Sequence, residues 1–133
     1  MTRVWLALGS NLGDRDAYLA AARNALSKAG VAIVRESRVA ETEPIGIVDQ
    51  PRFKNQVLEG ETTLEPRTLL QHVKGIEQQL GRQRRERWGP REIDIDILRY
   101  DNRTVDEPGL RIPHPELQNR PFLLELIGEL EQR

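Results

Sequence analysis

The chain contains no cysteine, which excludes disulfide bonds, thiolate zinc sites and a cysteine nucleophile. It also lacks an apolar run of transmembrane length and, at its amino terminus, the pattern of a secretory signal peptide. The formal net charge is -1, so no overall positive field draws the protein onto nucleic acid or an anionic membrane. We therefore expect a cytoplasmic protein with neither nucleic acid nor a membrane as its partner.

Apolar residues nevertheless recur in regular patterns from Val4 to Leu130, which argues against disorder. A chain of 133 residues has the length of one ordinary domain and buries roughly two thirds of its unfolded surface. We expect a single domain over residues 1–133, and a monomer.

The periodicities predict the order strand, helix, strand, strand, helix, strand. The predicted segments are 4–8, 15–29, 31–39, 53–62, 66–80 and 92–98, followed by a turn at 101–102, short extended pieces and a closing helix around 123–130. This order is typical of the split βαβ arrangement, a ferredoxin-like α+β sandwich whose helices pack on one face of an antiparallel sheet.

The loop between the first strand and the first helix, residues 9–15, is rich in turn formers. It lacks the second glycine followed by Lys and Ser or Thr that a phosphate-binding P-loop requires. We interpret it as a tight turn in which Asn11 and Asp14 organise the first helix. Gly30 is then a stop signal for that helix, and Pro66 suits the first turn of the second.

Two carboxylates alternate with isoleucines in the clearest predicted strand, residues 92–98. Because strand side chains alternate in direction, Asp94 and Asp96 emerge side by side on one face. Like charges at this spacing repel, and Mg²⁺ prefers oxygen ligands of this kind together with water and phosphates. An isolated Asp-x-Asp is more often just the polar face of a strand, so its neighbours decide between the two interpretations.

Immediately upstream, the loop 82–91 concentrates five arginines, namely Arg82, Arg84, Arg85, Arg87 and Arg91. Guanidinium groups suit bidentate binding of phosphate oxygens, so anion binding is favoured over an ordinary exposed loop. Arginines beside a carboxylate pair are typical of a polyphosphate site in which a metal bridges phosphates, and the combination favours a nucleotide. Of two further polar residues, His114 either contacts a phosphate or orders a turn, and Glu77 faces either solvent or the nucleotide.

Five blocks of the sequence complete a family resemblance. They are residues 9–15 (GSNLGDR), 42–46 (TEPIG), 50–55 (QPRFKN), 81–97 (GR through RWGPREIDIDI) and 112–122 (IPHP with NRPF). Together they resemble 6-hydroxymethyl-7,8-dihydropterin pyrophosphokinase, a folate-biosynthesis enzyme family, over nearly the whole chain. The family implies a ferredoxin-like fold and transfer of the β,γ-pyrophosphoryl unit of ATP to the hydroxymethyl group of the reduced pterin, with release of AMP.

The resemblance also implies roles for individual residues. Asp94 and Asp96 are expected to bind two Mg²⁺ ions, and with Arg82 and Arg91 they form the catalytic set. The expected ATP contacts are Glu77, Arg82, Arg84, Arg87, Trp88, Arg91, Ile97, Arg111, His114 and Arg120. The expected pterin contacts are Thr42, Pro44, Ile45, Phe53, Asn55, Trp88 and Phe122. Arg111 is included because Gly109 stands where many relatives carry a basic residue.

Three other interpretations remain to be distinguished. A ferredoxin-like RNA-binding module needs an aromatic signature on its central strands, which this sequence lacks, and the two aspartates would repel RNA. An acyl-phosphate hydrolase of this fold has no use for the Asp-x-Asp pair. A non-catalytic relative that binds pterin conflicts with the intact Asp94, Asp96, Arg82 and Arg91.

Overall fold

The computed structural model describes residues 1–44, 49–82 and 91–131. The described residues form one main sheet, a small hairpin and helices on both sides of the main sheet. In chain order the elements are β1 (Thr2–Ser10), α1 (Arg15–Lys28), β2 (Val31–Glu36), β3 (Ala40–Thr42), β4 (Phe53–Thr62), α2 (Pro66–Gln79), β5 (Asp94–Tyr100), β6 (Val105–Glu107), β7 (Leu110–Ile112) and α3 (Pro121–Glu131), with a 3-10 turn at Leu117–Asn119.

The main sheet is antiparallel in every pairing and has the strand order β2-β4-β1-β5, with β3 also pairing with β4. The strands and helices β1, α1, β2, β4, α2 and β5 follow the βαββαβ order, so the predicted α+β class is confirmed. Strand β1 lies between β4 and β5, and residues near the ends of these three strands are therefore neighbours in space.

The helix boundaries follow from local chemistry. Asp14 caps α1, accepting a hydrogen bond from the Ala17 backbone N–H at 3.1 Å. Gly30 follows this helix with a φ of 106°, a left-handed conformation that costs glycine little. Pro66 lies in the first turn of α2, where its missing N–H leaves no bond unmade. These three predictions are confirmed.

Helices α1 and α2 cover one face of the sheet, where the larger apolar cluster includes Leu6, Leu26 and Val73. Helix α3 packs on the opposite face in a second cluster with Ala7, Val57 and Leu98. The expectation of helices on one face is therefore corrected: the closing helix makes a third layer. The sheet needs both covers because Leu6 and Ala7, adjacent in β1, point to opposite sides and are both buried.

Two short strand pairings differ in detail from the prediction, which gave only short extended pieces after residue 99. The segment 31–39 was predicted as one strand, but it ends at Glu36, and the chain pairs with β4 again only as β3 at Ala40–Thr42. The hairpin of β6 and β7 has three residues in each strand, too few to show a clear alternation. β3 brings Thr42 beside Phe53 of β4, which shapes one side of the site.

Candidate active site

The floor of the site is the end of the central strand. Gly9 lies opposite Asn55 of β4 on one side and opposite Asp94 of β5 on the other. Two residues earlier, Ala7 lies opposite Asp96. Since alternate residues of a strand share a face, these small residues lie beneath the functional side chains without filling the space above them.

A cavity of about 80 Å³ opens over this floor. Its lining combines apolar, aromatic and charged groups: Ala7, Leu8, Gly9, Thr42, Glu43, Phe53, Asn55, Arg91, Asp94, Asp96, Arg120, Phe122 and Leu123. Residues predicted at the two ends of the site, for pterin and for metal, are thus brought together around one opening. Pro44 is buried and follows the lining residue Glu43 in the chain, but it is not itself part of the lining.

Thr42 and Asn55 are joined across the β3–β4 pairing. The Asn55 amide nitrogen donates to the Thr42 hydroxyl oxygen at 2.6 Å, which holds the Asn55 side chain over the strand. Phe53 and Phe122 both line the cavity and are partly buried. A flat heteroaromatic ring in this cavity would have aromatic faces available for stacking and a fixed amide at its edge.

The two aspartates of β5 have different surroundings. Asp94 Oδ1 lies 3.3 Å from a guanidinium nitrogen of Arg82 and 3.3 Å from one of Arg91. Burial, followed by repulsion from Asp96, nevertheless raises the pKa of Asp94 to about 6, because the two arginines offset these effects only in part. Within the described part of the chain, the negative charge on Asp94 is therefore not fully compensated.

Asp96 is paired with His114, whose Nε2 lies 3.6 Å from Asp96 Oδ1. His114 Nδ1 accepts the Glu116 backbone N–H at 3.1 Å, so a neutral imidazole carries its proton on Nε2, facing the carboxylate. Burial raises the pKa of Asp96, but His114 and the positive charges of Arg120 and Lys74 outweigh it, so the pKa lies below its ordinary value. Asp96 is held in its ionised form.

These surroundings fit a cation that is held jointly with a substrate. Within residues 1–44, 49–82 and 91–131 no group of three or more His, Asp or Glu side chains could hold a metal ion alone. Asp94 and Asp96 supply two carboxylates, one of them with an elevated pKa. Mg²⁺ is commonly bound by one or two carboxylates, with water and substrate phosphates completing its shell.

A second cavity, of about 340 Å³, also borders Asp96. It is lined by Leu70, Lys74, Ile95, Asp96, Ile97, Gly109, Leu110, Arg111, His114 and Pro115. Three residues predicted on the nucleotide side, Ile97, Arg111 and His114, meet here. Asp96 belongs to both linings, so the two cavities meet at this residue.

Glu77 has a position that the sequence did not indicate. The side chain is 3% exposed, and its Oε2 accepts the Ile95 backbone N–H at 2.8 Å and lies 2.8 Å from a guanidinium nitrogen of Arg82. It is not part of the larger cavity's lining. In this arrangement Glu77 holds Arg82 against Asp94, and its predicted contact with ATP stays a prediction.

Arg120 lies in the smaller cavity, and its Nε is buried without a hydrogen-bond partner among the described residues. A buried guanidinium donor without a partner is costly unless a ligand completes it. Ile45, Arg84, Arg87 and Trp88, also predicted as contacts, lie outside the described residues, so their predicted roles stay predictions.

Asn11 was predicted to organise the first helix, and its contacts differ from that prediction. Asp14 performs the capping, whereas Asn11 is buried and bonds to Arg91, Gln50 and Pro51. These partners are 39 to 80 residues away in sequence, so no local pattern could have shown them. Gly9 was also missed, because the prediction ended the first strand at residue 8 and placed Gly9 in the loop, whereas β1 runs to Ser10.

No helix in the described part of the chain is long and apolar enough to span a membrane. The chain resembles solved structures of HPPK-DHPS proteins. One, in complex with substrates, has a TM-score of 0.72 at 15% identity and covers 95% of this chain. Another, from Plasmodium falciparum, has a TM-score of 0.68 at 16% identity and covers 96%. This chain spans 39% of each of those longer chains, and at such identity the likeness shows the fold.

Sequence similarity identifies the family more specifically than the shared fold does. The 2-amino-4-hydroxy-6-hydroxymethyldihydropteridine pyrophosphokinase of Bacillus subtilis is 41% identical over 97% of this chain and 78% of its own length. Those of Aquifex aeolicus and Methylorubrum extorquens are 41% and 42% identical over 98% of this chain, with 81% and 83% of their lengths covered. Residues 5–132 match the family model for 7,8-dihydro-6-hydroxymethylpterin-pyrophosphokinase (HPPK), and the chain belongs to this family.

Proposed function

We propose that the protein transfers the pyrophosphoryl group of ATP to the hydroxymethyl oxygen of 6-hydroxymethyl-7,8-dihydropterin, releasing AMP, as a Mg²⁺-dependent enzyme of folate biosynthesis. The observation that carries this proposal is the position of Asp96, which lines both a cavity with aromatic sides and a larger cavity. A metal held there by Asp94 and Asp96 would lie where the acceptor and the phosphates meet.

The smaller cavity suits the pterin. Phe53 and Phe122 can stack on the faces of a flat ring, and Asn55, fixed by Thr42, presents an amide to its edge. The hydroxymethyl group would then point toward Asp96. Thr42, Pro44, Ile45 and Trp88 complete the proposed pterin set.

The larger cavity suits the nucleotide. Leu70, Ile97 and Leu110 offer apolar walls to a base, and His114 and Arg111 supply polar contacts at the same opening. The triphosphate would run from this cavity toward Asp94, where Arg82 and Arg91 are already gathered. The remaining proposed contacts with ATP are Glu77, Arg84, Arg87, Trp88 and Arg120.

We propose that Asp94 and Asp96 hold two Mg²⁺ ions together with the phosphates of ATP. When bound, the ions neutralise charge on the phosphate oxygens and orient the reacting phosphorus. Arg82 and Arg91 add positive charge to the same oxygens. The charge on these phosphates redistributes during transfer, so fixed guanidinium groups lower the barrier more than they tighten resting ATP.

We also propose that residues 1–133 act as one pyrophosphokinase domain, monomeric and cytoplasmic, without nucleic acid or membrane partners. A single domain is supported by the main sheet, because strands β1, β4 and β5 contribute residues to both apolar clusters. The formal net charge of -1 provides no overall attraction to nucleic acid or to an anionic membrane.

The proposal is tested by incubating the protein with ATP, Mg²⁺ and the reduced pterin and identifying the nucleotide product. AMP is expected, whereas ADP would contradict pyrophosphoryl transfer. Asp94→Ala and Asp96→Ala should each nearly abolish AMP formation while the circular dichroism spectrum is retained. Asp101→Asn, in the exposed turn that follows the other end of β5, is the matched control and should keep wild-type activity. Pterin binding by wild-type protein without any AMP would favour the non-catalytic alternative.

A further inference from the structure

Asn11 is a buried amide in the loop between β1 and α1. It is 1% exposed, so it presents almost no surface to a substrate. Its side chain instead connects two other parts of the chain, and both parts contribute residues to the site.

The first connection runs to Arg91. Asn11 Oδ1 accepts the Arg91 backbone N–H at 2.8 Å, and the Asn11 backbone N–H donates to the Arg91 carbonyl oxygen at 3.1 Å. This reciprocal pair fixes the backbone of Arg91, whose guanidinium lies 3.3 Å from Asp94 Oδ1. The position of a phosphate-side arginine is therefore set by Asn11.

The second connection runs to the chain just before β4. Asn11 Nδ2 donates to the Pro51 carbonyl oxygen at 3.0 Å and to Gln50 Oε1 at 2.9 Å. Pro51 lies two residues before Phe53, which begins β4 and lines the smaller cavity. The same amide group thus also sets the start of the aromatic wall.

An asparagine side chain has one carbonyl oxygen and two N–H donors, and here all three are used. A residue with only acceptors or only donors could hold one of the two segments but not both. Asn11 itself is buried, so water does not readily replace a partner that it loses, although the bonds themselves are only partly buried. Arg91 and Pro51 are consequently held at one fixed separation by a single residue.

We propose that Asn11 is a positioning residue that couples nucleotide binding to pterin binding in this enzyme. The inference rests on the proposed function. Phosphates that engage Arg91 restrict its backbone, and through Asn11 they restrict Pro51 and the aromatic wall, so the pterin meets a site that is already ordered. Coupling of this kind is reciprocal, so the pterin improves nucleotide binding by the same factor.

The test measures the dissociation constant of 6-hydroxymethyl-7,8-dihydropterin by calorimetry, with and without saturating α,β-methylene-ATP and Mg²⁺. The ratio of the two constants is the coupling factor. In wild-type protein it should exceed one, and in Asn11→Ala it should fall about fivefold or more, within the usual range of such couplings. Gln50→Ala removes one of the bonds and should reduce the factor by less. Asn24→Ala, on the exposed side of α1, is the matched control and should behave as wild type.

If Asn11 had a purely structural role, Asn11→Ala would lower the melting temperature or weaken pterin binding equally with and without the analogue. Either result, with an unchanged coupling factor, would overturn the inference. A coupling factor of one in the wild-type protein would also overturn the inference. If Asn11→Ala does not fold, Gln50→Ala decides: a reduced factor supports the inference and a wild-type factor rejects it. Wild-type AMP formation with unchanged coupling in the variants rejects this inference alone, whereas absence of AMP from the wild type rejects the proposed function.

Discussion

Gly9 and Asn55 face each other across the ladder between β1 and β4, and the Asn55 side chain leans over the glycine. A β-carbon built at Gly9 would lie 3.1 Å from Asn55 Oδ1 and 3.6 Å from a ring carbon of Phe53. The first distance is shorter than an ordinary contact, so the amide holds its position only because residue 9 has no side chain.

Gly9→Ala should therefore displace Asn55 and weaken pterin binding by about tenfold, or about 1.4 kcal/mol. Affinity for an ATP analogue should be unchanged, because the added methyl group points to the pterin side. Calorimetry with each ligand separately measures both effects. Gly75→Ala, in α2 with nothing within 4 Å of the added carbon, is the control, and equal pterin affinity in the two variants would remove Gly9 from this role.

Residue patterns alone predicted those parts of the site that are set by local rules, whereas Thr42, His114, Arg120 and Phe122 came from the family resemblance. Asp94 and Asp96 share a face because a strand alternates its side chains. The cap at Asp14 followed from residue type and position. Each of these depends on residues within a few positions of one another.

The parts that sequence missed depend on distant residues. The partners of Asn11 and the close approach of Gly9 to Asn55 arise from pairings across the sheet. The side of the sheet that α3 covers is likewise fixed by tertiary packing against Ala7 and Leu98. No window of sequence contains both members of such a contact, so only the fold reveals it.

In the absence of bound metal, the ionised Asp94 side chain should lower the free energy of unfolding at neutral pH. Its pKa is about 6 in the folded protein, against an ordinary value of 3.8 for an aspartate side chain. Between these pH values the folded state therefore binds more protons than the unfolded state. The free energy of unfolding consequently falls as pH rises from about 4 to about 6. Asp94→Asn should raise the free energy of unfolding at pH 7 by on the order of 1–3 kcal/mol.

Chemical denaturation in the presence of a chelator measures this effect at about pH 4, 5.5 and 7, values that span the titration of Asp94. The gain from Asp94→Asn should shrink toward low pH, where wild-type Asp94 is itself neutral. Asp101→Asn controls for loss of an exposed aspartate. A variant less stable than wild type at pH 7 would show that the ion pairs with Arg82 and Arg91 outweigh burial and repulsion.

Glu77 and Arg82 form a pair whose effect on turnover should not be additive. Glu77→Gln keeps an oxygen for the Ile95 N–H but loses the charge that holds Arg82. We expect turnover to fall about tenfold with little change in the KM for ATP, and almost no further loss when the change is made in Arg82→Ala protein. A rise in the KM for ATP in both backgrounds would instead indicate direct contact between Glu77 and the nucleotide.

Phe53 and Phe122 distinguish a binding role from ordinary packing, since both are only partly buried and both line the smaller cavity. If they stack on the pterin, Phe53→Leu and Phe122→Leu should each weaken pterin binding about tenfold, near 1.4 kcal/mol. Leucine keeps most of the apolar volume, so the melting temperature should change little. Leu124→Ala, on α3 and outside the cavity lining, should lower the melting temperature and leave pterin affinity intact. The reverse pattern, with stability lost and affinity kept in the phenylalanine variants, would assign both rings to the core and leave the pterin site without its aromatic walls.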